Sequence, residues 1–205
     1  MFADVLEYLG IIAFVASGAL VGVRKGLDLL GVCVVGVTTG IGGGLIRDGL
    51  IGVHPPTSMT EWPIIAVALT TAVVVFVAHV AVGRLWRAVV LLDAVGLGLF
   101  ASTGAAVTLT HGGGVVAACM LGTTTAVAGG VLRDILVNDV PLIFRGELYA
   151  VPALVGTVAV VVIDAVGGSE NVGLTVATVL AMGLRFASLR FGWSLPVAKG
   201  VPPQP

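Results

Sequence analysis

Two arginine–aspartate pairs stand inside apolar sequence, Arg47-Asp48 closing GVCVVGVTTGIGGGLIRD (31–48) and Arg133-Asp134 closing AACMLGTTTAVAGGVLRD (117–134). Glycines precede both, Gly42-Gly43-Gly44 in the first and Gly129-Gly130 in the second, and hydroxyl pairs stand further back, Thr38-Thr39 and Thr124-Thr125. A guanidinium at the centre of a bilayer costs about 2.5–3.5 kcal/mol on insertion scales, so it persists where it is paired or where it faces water or ions. Helical spacing puts Gly36, Gly40, Gly43 and Arg47 on one stripe, and Gly122, Ala126, Gly129 and Arg133 on another. A face of small and hydroxyl side chains ending in a charge has the character of a wall of a water-filled path. The plainer reading is an ion-pair clamp that holds helices together.

The two segments are copies. Arg133 follows Arg47 by 86 residues (133 − 47), and the same offset matches Gly10 with Gly96, Phe14 with Phe100, Gly18 with Gly104, Cys33 with Cys119 and Glu61 with Glu147. Such a repeat has to be explained before any element is assigned.

The elements that carry these residues are membrane spans. Hydrophobic residues make up 58% of the 205-residue chain and charged residues 10%, with a mean hydropathy of +1.14, against roughly 25% charged in a soluble domain. A net charge of −1 without a basic cluster excludes nucleic acid as a partner. Seven stretches of about 20 apolar residues, enough to cross a bilayer core, run over 4–23, 27–53, 61–82, 88–110, 113–137, 147–166 and 171–190. They are separated by breaks such as Arg24-Lys25-Gly26, His54-Pro55-Pro56, Gly83-Arg84 and Gly167-Gly168-Ser169. The N-terminus has no positive region of the signal-peptide type, so the first stretch is expected to be retained as a span. Trp62 and Trp86 read as interface anchors, and the tail 197–205 is expected to be disordered.

The expected fold is an all-α integral membrane protein of seven transmembrane helices: a three-helix repeat (1–86), a second, inverted three-helix repeat (87–170), a seventh helix (171–196) and the tail. Inversion follows from parity, because three crossings leave the chain on the opposite side of the membrane. Inverted repeats of this kind carry their site at the repeat interface. Arg24, Lys25, Arg84, Arg87, Arg145, Arg185, Arg190 and Lys199 all fall on one face, which predicts an external N-terminus and a cytoplasmic C-terminus. Spans 2 and 5 are long: 27 residues (27–53) of helix would reach about 40 Å. Their glycines either break the helices at membrane depth, freeing backbone groups that must line a cavity, or serve close helix packing.

Depth selects the partners of the arginines. Arg47 is placed toward the outer end of span 2 and Arg133 toward the inner end of span 5, so a bridge between repeats would have to cross half the bilayer. Glu7 and its repeat mate Asp93 share the depth of the arginine in their own repeat, which predicts Glu7–Arg47 and Asp93–Arg133 pairs. Asp48 and Asp134 are left to cap freed amides or to face a cation path. No nucleophile, Walker or metal-ligand pattern occurs, and the two cysteines read as buried thiols. Neither enzyme activity nor a metal or cofactor is expected.

The paired Gly42-Gly43-Gly44-Leu45-Ile46-Arg47-Asp48 and Ala128-Gly129-Gly130-Val131-Leu132-Arg133-Asp134 segments, in a three-plus-three-plus-one chain of this length, resemble the prokaryotic trimeric intracellular cation channel family, relatives of which carry the label of a glycine-transporter domain. The resemblance covers all seven spans. It implies a homotrimer in a prokaryotic plasma membrane, surrounded by lipid, with a potassium-conducting pore inside each protomer walled by broken second and fifth helices. The residues assigned to that path are Thr38, Thr39, Gly42, Gly43, Gly44, Arg47, Asp48, Thr124, Thr125, Gly129, Gly130, Arg133 and Asp134, supported by Glu7 and Asp93. An alternating-access transporter of a small zwitterion such as glycine is the alternative that the same inverted repeat serves.

Overall fold

A computed structural model describes residues 1–81, 85–145 and 147–196. Gly83, Arg84, Lys199 and the tail 197–205 lie outside the described residues. The elements are α1 (Phe2–Arg24), α2 (Leu29–Ile51), the single turn α3 (Thr57–Thr60), α4 (Trp62–Ala78), α5 (Leu85–Thr110), α6 (Val115–Leu136), α7 (Ala150–Ala165) and α8 (Glu170–Phe191), with 3₁₀ turns at His79–Ala81 and Leu142–Phe144. Five of them, α1, α2, α5, α6 and α8, are long and apolar enough to cross a membrane. The other two apolar helices, α4 and α7, have 17 and 16 residues, about 24–26 Å of helix against a hydrocarbon core of about 30 Å. The expected start of span 6 at residue 147 moves to Ala150, because Glu147 is drawn into an isolated antiparallel bridge with Ser194.

The second and fifth spans are not broken. α2 is continuous over 23 residues and α6 over 22, about 33–35 Å each, which crosses a bilayer without a kink. The expected excess length belonged to the caps. The Asp28 carboxylate accepts from the Gly31 amide at 2.7 Å and starts α2. Gly52, at φ +81°, ends it in the left-handed conformation that glycine adopts without strain. Asn138, at φ +55°, takes the same conformation two residues past the end of α6.

The glycines instead let helices touch. A Cβ on Gly43 would collide with the carbonyl oxygen of Thr125, and a Cβ on Gly129 with the carbonyl oxygen of Thr39. These are one contact made twice, since 43 + 86 = 129 and 39 + 86 = 125. Residue order rises along α2 as it falls along α6, so the two helices run antiparallel. α1 and α5 cross in the same way: Gly10 lies under the Phe100 ring, Gly96 under the Phe14 ring, and the two rings meet edge to face at 5.2 Å. Gly36 and Gly40 pack against Val15 and Ile11 of α1, and Gly122 against Ala101 and Ala105 of α5. The small-residue stripe is therefore a helix contact surface.

α1 and α5 form the centre of the bundle, burying Ile11, Phe14, Val15, Leu97, Phe100 and Ala101. Val74, Val77, Val158, Val162, Val179 and Leu180 are exposed on the outer helices, as lipid-facing residues are. At the end of the bundle holding the α1–α2 turn, Lys25 pairs with Asp139 at 2.7 Å and the Arg24 guanidinium lies 4.6 Å from the ring centre of Trp86. A methyl group has no room at the α2–α6 crossing and open space at Gly49. Gly43→Ala and Gly129→Ala are each expected to destabilise the protein by about 1–3 kcal/mol, with Gly49→Ala near neutral, measured as thermal unfolding in detergent.

Candidate ion-path site

The second-repeat arginine sits in a closed polar cluster. Arg133 comes from α6, is fully buried, and donates through Nη1 to Asp93 Oδ1 of α5 at 2.7 Å and to Ser17 Oγ of α1 at 2.8 Å. Its Nε donates to Asp134 Oδ1 at 2.8 Å. The Tyr149 hydroxyl donates to the same Asp93 oxygen at 3.2 Å. Arg185, from α8, lies with its guanidinium 5.0 Å from the Tyr149 ring centre and donates to Glu147 Oε2 at 2.8 Å and to the Leu148 carbonyl at 3.1 Å. The sequence counts Arg185 among the basic residues at the cytoplasmic face. It is instead buried inside α8, because Glu147 and the Tyr149 ring receive it. A basic residue inside the apolar periodicity of α8 was the available signal.

The first-repeat arginine has the same core and a looser surround. Arg47 is 3% exposed; its Nη2 lies 2.8 Å from Asp48 Oδ1 and 3.7 Å from Glu7 Oε1. Gly44 has open space beside it, with Arg47 Nη2 the nearest neighbour to an added Cβ at 3.9 Å. A crevice of about 20 Å³ lies there, lined by Glu7, Gly44, Arg47, Asp48 and Ser58 among others, room for a water molecule but not for a continuous file. A wider cavity of about 340 Å³ adjoins it at Glu7 and is bordered by Asp4 and Glu61. Glu7 and Ser17, the α1 residues beside the two arginines, are ten positions apart, about 15 Å along the helix.

Each aspartate has a second task that depth alone left open. Asp48 Oδ2 accepts from the Thr57 amide at 2.9 Å, the first residue of α3, and Asp134 Oδ2 accepts from the Leu142 amide at 3.0 Å, the first residue of the 3₁₀ turn. The amides they cap belong to the next turn of chain, not to a broken helix. The repeat mate of Leu142 is Pro56, which has no N–H, so Asp48 takes the amide one residue later. The bonds from Asp48 and Asp134 to their own neighbouring arginines were not anticipated. They arise because each carboxylate lies at the end of its helix, where the long arginine side chain folds back to meet it.

The remaining site candidates divide by position. Thr39 and Thr125 are buried, and their hydroxyls donate to the Val35 and Leu121 carbonyls one turn back, both at 2.6 Å. Gly18 and Gly104 press against them. Thr38 and Thr124 are half-buried, and Gly42 is covered by the Leu132 side chain. Gly43 and Gly129 lie in the helix crossing, away from the crevice.

Two buried acid–arginine pairs of different tightness make a stability test. Removing Asp93 leaves a fully buried guanidinium short of its partner, a loss of about 3–5 kcal/mol, and Asp93→Ala with Arg133→Ala should recover much of it. Glu7→Gln should cost about 1 kcal/mol or less, since that pair is longer and part-exposed. Thermal unfolding of the single and double variants measures the coupling.

Comparison with known proteins gives the family. The family profile described as Glycine transporter matches residues 4–80 and 90–165, two stretches that begin 86 residues apart. A UPF0126 membrane protein of Deinococcus radiodurans is 40% identical over 76% of this chain and 73% of its own length. The UPF0126 membrane protein YvgT of Bacillus subtilis is 34% identical over 94% of this chain and 95% of its own. Among solved structures, a TRIC trimeric intracellular cation channel orthologue from Rhodobacter sphaeroides superposes with a TM-score of 0.90 at 38% identity, covering 93% of this chain and 98% of that one. With its apolar helices and these relatives, the protein is a multi-pass membrane protein. The chain belongs to the Glycine transporter family, as a prokaryotic TRIC-type member of it.

Proposed function

We propose that the protein is a monovalent cation channel, with potassium as its ion, a path inside each protomer and three protomers in the assembly. The observation that carries this is charge. Each of the two repeated arginines is met by two carboxylates, Arg47 by Glu7 and Asp48, Arg133 by Asp93 and Asp134, so each trio keeps one formal negative charge. Glu61 adds another at the wider cavity, where Asp4 is paired with the N-terminal ammonium at 2.8 Å. Negative side chains along a constriction favour cations. The Rhodobacter sphaeroides structure is described as a trimeric intracellular cation channel, which supports cation conduction and a trimeric assembly. The alternating-access reading has no such support.

The path is read along the α1–α2–α5–α6 interface. It passes Glu7, Gly44, Arg47 and Asp48 in one half and Asp93, Gly130, Arg133 and Asp134 in the other, with Thr38 and Thr124 on the same helices. Its walls are unbroken helices. The antiparallel crossings of α1 with α5 and α2 with α6 support two inverted repeats, 1–86 and 87–170, followed by a seventh helix. The two short helices complete the seven crossings within a lipid bilayer. The basic residues Arg24, Lys25, Arg87 and Arg145 favour a cytoplasmic C-terminus in a prokaryotic plasma membrane.

Purified trimer in a planar bilayer is expected to give discrete potassium current steps; smooth carrier-like turnover without steps would refute the channel. Reporter fusions at Gly168 and after Pro205 are expected to report opposite sides of the membrane, and the same side for both would refute the seven crossings.

A further inference from the structure

The second repeat holds a guanidinium from outside the repeat, and the first repeat keeps the matching acids without that arginine. Arg185 of α8 donates to Glu147 Oε2 at 2.8 Å and lies 5.0 Å from the Tyr149 ring centre, and the Tyr149 hydroxyl reaches on to Asp93 at 3.2 Å. The repeat mates of Glu147, Tyr149 and Asp93 are Glu61 (147 − 86), Pro63 (149 − 86) and Glu7 (93 − 86). Both acids are kept and the phenol is not, and α8 has no counterpart in the first copy. Glu7 and Glu61 instead border one cavity of about 340 Å³. We propose that this cavity is a receptor for a small organic cation of the guanidinium or primary ammonium class, bound where the second repeat holds Arg185.

The acceptors there are of the right kind and sign. Glu147 is taken up by Arg185, whereas Glu61 has no ion-pair partner among the described residues. Glu7 Oε1 stands 3.7 Å from Arg47 Nη2, beyond hydrogen-bond distance, because Arg47 is held by Asp48 at 2.8 Å. Four carboxylates, Asp4, Glu7, Asp48 and Glu61, face two cations, Arg47 and the N-terminal ammonium, which leaves two formal negative charges. A third acceptor is Ser58, only 8% exposed, whose Oγ has no hydrogen-bond partner, although buried hydroxyls are ordinarily satisfied. It lines the crevice that shares Glu7, Ile11 and Ile64 with the cavity. Tyr8 adds an aromatic wall, the kind of surface on which Arg185 already lies. A planar fork of N–H donors can serve two carboxylates and a hydroxyl at once, which a bare metal cation of the same charge cannot do directionally. A cation bound against Glu7 stands on the path read above and obstructs potassium; this consequence, unlike the binding, rests on the channel reading.

The test titrates the purified full-length trimer with methylguanidinium by calorimetry, and adds the same cation to each side in turn of a planar bilayer recording potassium current. Saturable binding is expected, with tetramethylammonium, which has the charge but no N–H, binding at least about tenfold more weakly. Glu61→Gln and Glu7→Gln are each expected to weaken methylguanidinium by about tenfold, as loss of one charge-assisted hydrogen bond does. Potassium current should fall from one side only, half-reduced near the calorimetric dissociation constant. Should Glu7→Gln fail to assemble, Glu61→Gln decides, since Glu61 is exposed at the rim. Equal binding of tetramethylammonium, or binding unchanged by Glu61→Gln, overturns the receptor. Binding that leaves a recorded potassium current untouched overturns its place on the path. Binding to a trimer that passes no current leaves the receptor standing and removes the channel reading instead.

Discussion

A guanidinium inside an apolar bundle must be neutralised where it stands, and the structure meets that demand twice with one device. The arginine near the end of a membrane-length helix folds onto the aspartate that follows it, and an acid on the first helix of the same repeat completes the pair. The other oxygen of each aspartate fixes the first amide of the next turn. One carboxylate thus compensates a buried charge and sets the direction in which the chain leaves the helix. The second turn, Leu142–Phe144, leads directly to the segment that carries Glu147 and Tyr149.

These clusters hold their places because the helices between them approach more closely than side chains normally permit. Gly43 against the Thr125 carbonyl and Gly129 against the Thr39 carbonyl bring two backbones into contact, and each threonine hydroxyl is turned back onto its own helix by a bond one turn away. In lipid there is no hydrophobic drive between helices, so such packing is a main source of their association.

Near-identical repeats need not make identical halves. Where the first repeat has Pro63, the second has Tyr149, and a helix without counterpart in the first repeat supplies Arg185 to cover it. The first-repeat cluster borders a carboxylate-lined cavity; the second is shut beneath an aromatic ring. Divergence between the copies leaves one cluster beside a cavity and the other beneath side chains of the later helices.

The repeat, the class of protein and the buried Arg47, Asp48, Asp93, Arg133 and Asp134 were legible in the sequence, because the 86-residue offset and the cost of charge in hydrocarbon are one-dimensional signals. The ends of the second span were less legible, because the apolar run extends past its caps at Asp28 and Gly52. What the sequence left undecided was the use of its glycines. Breaking a helix and packing one require the same residue, and only the position of the opposing Thr39 and Thr125 carbonyls chose between them. Arg185 and Tyr149 did not stand out as site residues for a related reason. Neither stands in a motif, and each acquires its role from partners on other elements, 38 residues away in the case of Arg185 with Glu147 and 56 in that of Tyr149 with Asp93. Composition and spacing fix which groups must be buried, whereas the partner of each buried group depends on which helices cross, and that is settled only when the chain packs.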